Sequence, residues 1–201
     1  MNWDLSSYFP SPDHADTVAF KQKLKTDLAT LLKQASKLES LATSNLDTWE
    51  EALLASEDIL RRASHLGSYL GCLTSADTAN EAFRKEEAAF ALLDAEGEKL
   101  DVEFKRGLKG VSDADVEALL SRPSLAGCAH YVGRLREAAE KTMSLPEEHL
   151  AADLGVNGLH AWGRLYDNVS GKLEFDMAWP DGRIERLPMS QRRSLLSNPD
   201  R

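Results

Sequence analysis

Apolar residues recur at steps of four and three along three long stretches of this chain, a period that permits little except long amphipathic helices packed on one another. In the first stretch, from about Asp13, the residues Leu24, Leu28, Leu31, Ala35, Leu38 and Ala42 line one face. Lys21, Lys23, Lys25, Lys33 and Lys37 occupy much of the rest and read as a solvated face. Asn45-Leu46-Asp47 breaks the period, and Thr48-Trp49-Glu50-Glu51 predicts a capping box for a second helix. That helix carries Trp49, Leu53, Leu60, Ala63, Leu70 and Leu73, with Ala52, Ile59 and Leu66 on a neighbouring stripe, so it should pack on two sides. Gly67 and Gly71, four residues apart on it, predict close helix approach. Thr78-Ala79-Asn80-Glu81 repeats the box ahead of Phe83, Phe90, Leu93, Gly97, Leu100, Phe104 and Leu108, an aromatic stripe that reads as core rather than as a cofactor site. Three long antiparallel helices with short connections make an up-down bundle.

The remainder is built from shorter pieces. Ahead of the bundle, Trp3 to Pro12 mixes aromatics with prolines and predicts an arm laid across a surface. After the bundle, Gly107 and Gly110 are expected to end the third helix, Ser112 to cap a short one holding Val116, Leu119 and Leu120, and Arg122-Pro123 to stop it. A further helix is expected from about Ser124 through Tyr131, Leu135 and Ala138 to Met143. Ser144-Leu145-Pro146-Glu147 then starts another that leads through Leu150 and Leu154 to Trp162, Leu165 and Tyr166. After Ser170-Gly171 the period switches to two: Leu173, Phe175 and Met177 alternate with acids, and Pro180-Asp181-Gly182 turns the chain towards Ile184 and Leu187. The expected fold is mainly α, with a bundle and N-terminal arm over residues 1–110. A smaller helical region follows over residues 111–201, with one β-hairpin at about 172–188. Ser190 reads as one more helix cap and Asn198-Pro199-Asp200-Arg201 as a turn into a further element, which suggests an excised piece rather than a natural C-terminus.

Chemistry is hard to find in this pattern. A formal charge of -9 argues against binding a phosphate backbone, which needs a clustered basic face. No basic start precedes an apolar run, and no stretch approaches the roughly 20 apolar residues of a membrane span, so a soluble, cytoplasmic protein is expected. Cys72 and Cys128 lack metal-ligand spacing and read as buried thiols; whether they ever pair is left open. His14, His65, His130, His149 and His160 include no pair spaced as in HExxH. Glu147-Glu148-His149 reads as a surface helix start, and His65 and His130 as hydrogen-bonded core residues. No catalytic, cofactor-binding or metal-ligating residue is assigned anywhere in the chain.

Several stretches taken in order nevertheless carry a resemblance. They are Trp3-Asp4-Leu5-Ser6-Ser7-Tyr8-Phe9; His65-Leu66-Gly67-Ser68-Tyr69-Leu70 with Thr74-Ser75-Ala76-Asp77-Thr78-Ala79-Asn80; Met143 to Leu150; and Ala161-Trp162-Gly163-Arg164-Leu165-Tyr166-Asp167 with the strand from Leu173. Their order and spacing resemble the N-terminal region of oligoendopeptidase F, a relative of thimet oligopeptidase. The resemblance implies a cytosolic zinc metallopeptidase that encloses a channel, cleaves short peptides inside it, and holds zinc through HExxH and a later glutamate beyond Arg201. It implies for this chain a wall of the channel that would be inactive by itself, with no cofactor of its own and with the C-terminal catalytic half as its partner. The alternative reading is a self-sufficient helical scaffold or adaptor that binds a protein partner through an apolar groove. A stand-alone enzyme is the weakest case, because no reactive set converges. A piece of a larger enzyme should expose a large apolar patch around the hairpin and should tend to self-associate, whereas a finished adaptor should not show such a patch.

Overall fold

The computed structural model describes residues 4–77 and 80–197. Three long helices, α1 (Ala15–Ala35), α2 (Leu46–Ala76) and α3 (Glu81–Leu108), pack pairwise on one another as the periodicity requires. Leu24, Leu28 and Leu31 of α1, Trp49, Leu53 and Leu66 of α2, and Leu100, Phe104 and Leu108 of α3 are buried in one continuous core. The arm from Asp4 folds onto α1 and α2: Phe9 is buried against Phe20 and Tyr69, and the Tyr8 ring stacks on His65 with centroids 4.8 Å apart. Trp3 lies outside the described residues.

The boundaries differ from expectation where side chains compete for the backbone. α1 stops at Ala35, not beyond Leu38: Ser36 N–H makes the last α-type bond, to Leu32 O at 2.9 Å, and Lys37 and Leu38 then donate one residue shorter, to Gln34 O and Ala35 O, both at 3.0 Å. Leu38 and Leu41 are still buried, but as loop residues: the Arg106 guanidinium donates to Ala35 O and Leu38 O, and Leu41 N donates to Gly107 O at 3.0 Å. The second helix begins at Leu46 behind Asn45 rather than at Thr48. Asn45 reaches backwards, its Oδ1 accepting from Ala42 N at 2.9 Å and its Nδ2 donating to Ser40 O at 3.0 Å, so an asparagine clasp sets the turn instead of a capping box. At α3 the cap is Asn80, whose Oδ1 accepts from Ala82 N and Phe83 N; Thr78, offered for that role by the sequence, lies outside the described residues.

Glycine permits one very close helix contact. Gly107 does not end α3 but lies inside it against Trp49, where an added Cβ would meet the indole at 2.5 Å. Gly110 is the residue that turns the chain, at φ +69°. Gly67 faces Phe90 in the same sense, whereas nothing approaches Gly71.

Beyond the bundle come α4 (Asp113–Leu120), capped by Ser112 as expected, a single 3₁₀ turn at Pro123–Leu125, and α5 (Ala129–Ala139). The helix expected from Ser124 to Met143 is therefore shortened at both ends, since the turn from Pro123 and Gly127 at φ +95° delay its start. α6 (Leu145–Asn157) and α7 (Leu159–Lys172) are separated by Gly158. Strands β1 (Glu174–Ala178) and β2 (Ile184–Pro188) pair antiparallel with Phe175 opposite Leu187, and Gly182 takes φ +83° in the turn. α8 (Met189–Ser194) follows directly, so Ser190 lies within the helix and Pro188 precedes it; the final turn from Asn198 lies outside the described residues.

Three side-chain expectations are overturned. Cys72 is exposed and Cys128 half-buried, both as free thiols, because α2 turns Cys72 away from the core that its neighbours Leu70 and Tyr69 enter. His65 and His130 are exposed rather than core residues. His149 is not a plain surface residue: it points inward at α3.

Candidate functional site

Two histidine–carboxylate pairs join α3 to the following helices. Glu103 is only 2% exposed, and its Oε2 accepts from Arg106 Nε at 2.8 Å. His149 Nε2 lies 3.4 Å from Glu103 Oε1, too poorly aligned to hydrogen-bond, and that nitrogen is itself buried. The second pair is His160 Nε2 and Glu98 Oε1, also 3.4 Å apart. A catalytic zinc needs three protein ligands around one point. Among the described residues no three His, Cys, Asp or Glu side chains converge, and Glu103 is already committed to a guanidinium. These residues do not fit a zinc ion.

The more unusual feature is apolar. α6 opens at the helix start expected at Ser144, and does so with a reciprocal capping box: Ser144 N–H donates to Glu147 Oε2 at 3.0 Å, and the hydrogen bonds from Ser144 hold the Glu147 carboxyl below its ordinary value. Ala152 and Val156 enter the contact with α3, while Leu150 and Leu154 face outward. Gly158 then breaks the chain direction. A Cβ there would lie 2.8 Å from Leu154 O, so glycine is the residue that allows α7 to fold back so closely.

α7 buries none of its residues. Leu159, Trp162, Tyr166, Val169 and Leu173 follow at steps of three and four, the spacing of a single helix face, and all are exposed, Leu159 by 78% and Trp162 by 71%. Leu165 widens the stripe. Its other side is held by polar tethers: Arg164 Nη2 donates to Val156 O at 2.7 Å, Arg84 of α3 donates to Asn168 Oδ1, and His160 stands by Glu98. Below the C-terminal part of α7, α8 supports the hairpin, with the Arg192 guanidinium 4.9 Å over the Phe175 ring and Met189 N on Leu173 O at 2.9 Å.

Among the clefts around these helices are two with charged walls. One, of about 650 Å³, lies between the end of α2, the start of α3, α7 and α8, and carries Arg84, Arg164 and Arg193 together with Glu87 and Asp167. The other, of about 530 Å³, opens among α2, α3, α5 and α6 with Asp94, Glu98, Asp101 and Glu148 on its walls. The sequence indicated apolar surface near the hairpin; the structure places most of it on α6 and α7, with Ile184 the exposed large apolar residue of the strands. Trp162, Leu165 and Tyr166 were legible as helical apolar residues, but periodicity alone does not say whether a face is covered.

No protein of curated function matches this sequence significantly. The sequence family described as Oligopeptidase F matches residues 108–175, from the end of α3 into β1. Among solved structures, oligoendopeptidase-F from Enterococcus faecium is similar with a TM-score of 0.68 at 18% identity, over 90% of this chain and 35% of that one. This chain thus corresponds to about a third of the length of the protein it resembles. Residues 108–175 thus match the Oligopeptidase F family, within a fold that resembles oligoendopeptidase-F across most of the chain.

Proposed function

We propose that this chain is the non-catalytic wall of the substrate channel in a cytoplasmic zinc-dependent oligopeptidase that hydrolyses short peptides. Residues 1–110 act as the rigid bundle and residues 111–201 lead towards the catalytic half. The observation that carries this reading is the uncovered apolar face of α6 and α7, which lies within the segment matched to the oligopeptidase F family. A wall works by rigid packing that excludes water and bulky polypeptides, so it needs no reactive side chain of its own. The zinc and its general base belong to the catalytic half, where the ion polarises the scissile carbonyl and activates water. No helix among the described residues is long and apolar enough to cross a membrane, which fits this setting.

The purified chain is expected neither to hold stoichiometric zinc nor to cleave short peptides, and its bare face should drive self-association at high concentration. Metal analysis and a quenched-fluorescence peptide assay test the first part. One zinc per chain, lost to a chelator together with peptidase activity, would overturn it. Sedimentation of a strict monomer at high concentration counts against the second.

A further inference from the structure

We infer that the α7 stripe of Leu159, Trp162, Tyr166, Val169 and Leu173 is a helix-packing seam, and that its occupant is an amphipathic helix of the catalytic half. The inference rests on the channel-wall reading and adds to it the place and mode of docking. Steps of three and four maintained over about 20 Å match the ridge of one helix laid along another, rather than a pocket for a small molecule. A helix of this length is marginal in water unless it buries a face, and α7 buries no residue in its own chain. The polar tethers at Arg164, Asn168 and His160 fix which side of α7 turns outward, so the stripe is held ready for a partner. Leu150 and Leu154 of the preceding helix, α6, are exposed as well.

The choice of occupant follows from length and position. The family match spans the whole stripe, and the similar solved chain has nearly twice as much polypeptide outside the shared part as within it. That remainder is the natural source of a covering helix, ahead of a second copy of this chain.

The test uses the full-length protein with p-benzoylphenylalanine in place of Trp162, and a control with it at Leu92, an exposed position on α3. After irradiation, position 162 is expected to join, within one molecule, to sequence beyond residue 201, and position 92 is not. Crosslinks between two copies, or none from position 162, would overturn the docking proposal. Zinc content and peptide hydrolysis of the same unirradiated samples separate the two readings: active zinc enzyme without the intramolecular crosslink defeats the docking alone, whereas absence of zinc and activity defeats the channel-wall reading beneath it.

Discussion

Trp49 and Trp162 both sit on amphipathic helices, yet Trp49 is fully buried and Trp162 is 71% exposed. Trp49 lies on α2 with its ring 6.1 Å from that of Phe104, fitted over Gly107, and with its Nε1 donating to Glu39 O at 3.1 Å. Trp162 lies on α7, which packs on α6 and α8 and is tethered to α3 by polar contacts but encloses nothing. The same sequence logic therefore yields a finished core in one region and an open face in the other. A hydrophobic stripe specifies that something should cover it; whether the cover lies in the same chain is a matter of topology.

The comparison can be broken most directly at the buried ring. Trp49→Ala should destabilise the chain by about 3–5 kcal/mol in denaturant unfolding, through lost burial and the cavity left behind. A change well under that would mean the bundle core is looser than the packing indicates. Gly107→Ala attacks the same contact from the other side, and overpacking against the indole should cost about 1–3 kcal/mol. Its effect should shrink in a Trp49→Ala background, because the two residues touch. The Asn80 cap is a local device, so Asn80→Ala should cost about 1 kcal/mol and leave the unfolding cooperative.

The joint between the two regions should respond to pH. Lys99 of α3 donates to Asp153 of α6 at 2.6 Å and to Glu96 at 2.9 Å, and these carboxylates, Asp153 foremost, hold its ammonium above the ordinary value of 10.5. Because the folded value is raised, this contribution is fully present below the ordinary lysine value and is lost as the pH rises through the folded one. Amide exchange in α6 and α7 should therefore quicken at the alkaline end, and Lys99→Met should flatten that dependence. The smallest effect belongs to the exposed ring. Trp162→Ala should change the stability of this chain by no more than about 0.5 kcal/mol, while lowering any self-association seen in sedimentation. A large loss of stability would show that α7 is better buried than its exposure says.

Much of the architecture was legible because period is a local property. Leu24, Leu28 and Leu31 announced α1, Ser112 and Ser144 announced their caps, and Phe175 and Met177 announced a strand with a glycine turn behind it. Helix ends were less legible, because Asn45 reaches backwards to Ser40 and Ala42 instead of capping forwards, and Arg106 holds the end of α1 from a distant helix. The histidines were misread for a related reason: a residue type among apolar neighbours in sequence does not reveal which way the helix turns it, so His65 emerged at the surface and His149 turned in towards Glu103.

The sequence by itself determined a mainly helical chain, the helix starts at Ser112 and Ser144, the glycine turn of the hairpin and the apolar stripe of α7, since each depends on residues within a few positions of one another. Only the tertiary structure decided that Trp49 would be enclosed and Trp162 left bare, that Gly107 would admit an indole, and that His149 would face a buried carboxylate. Those outcomes depend on where distant helices lie, and burial is a property of the whole packing rather than of any one segment.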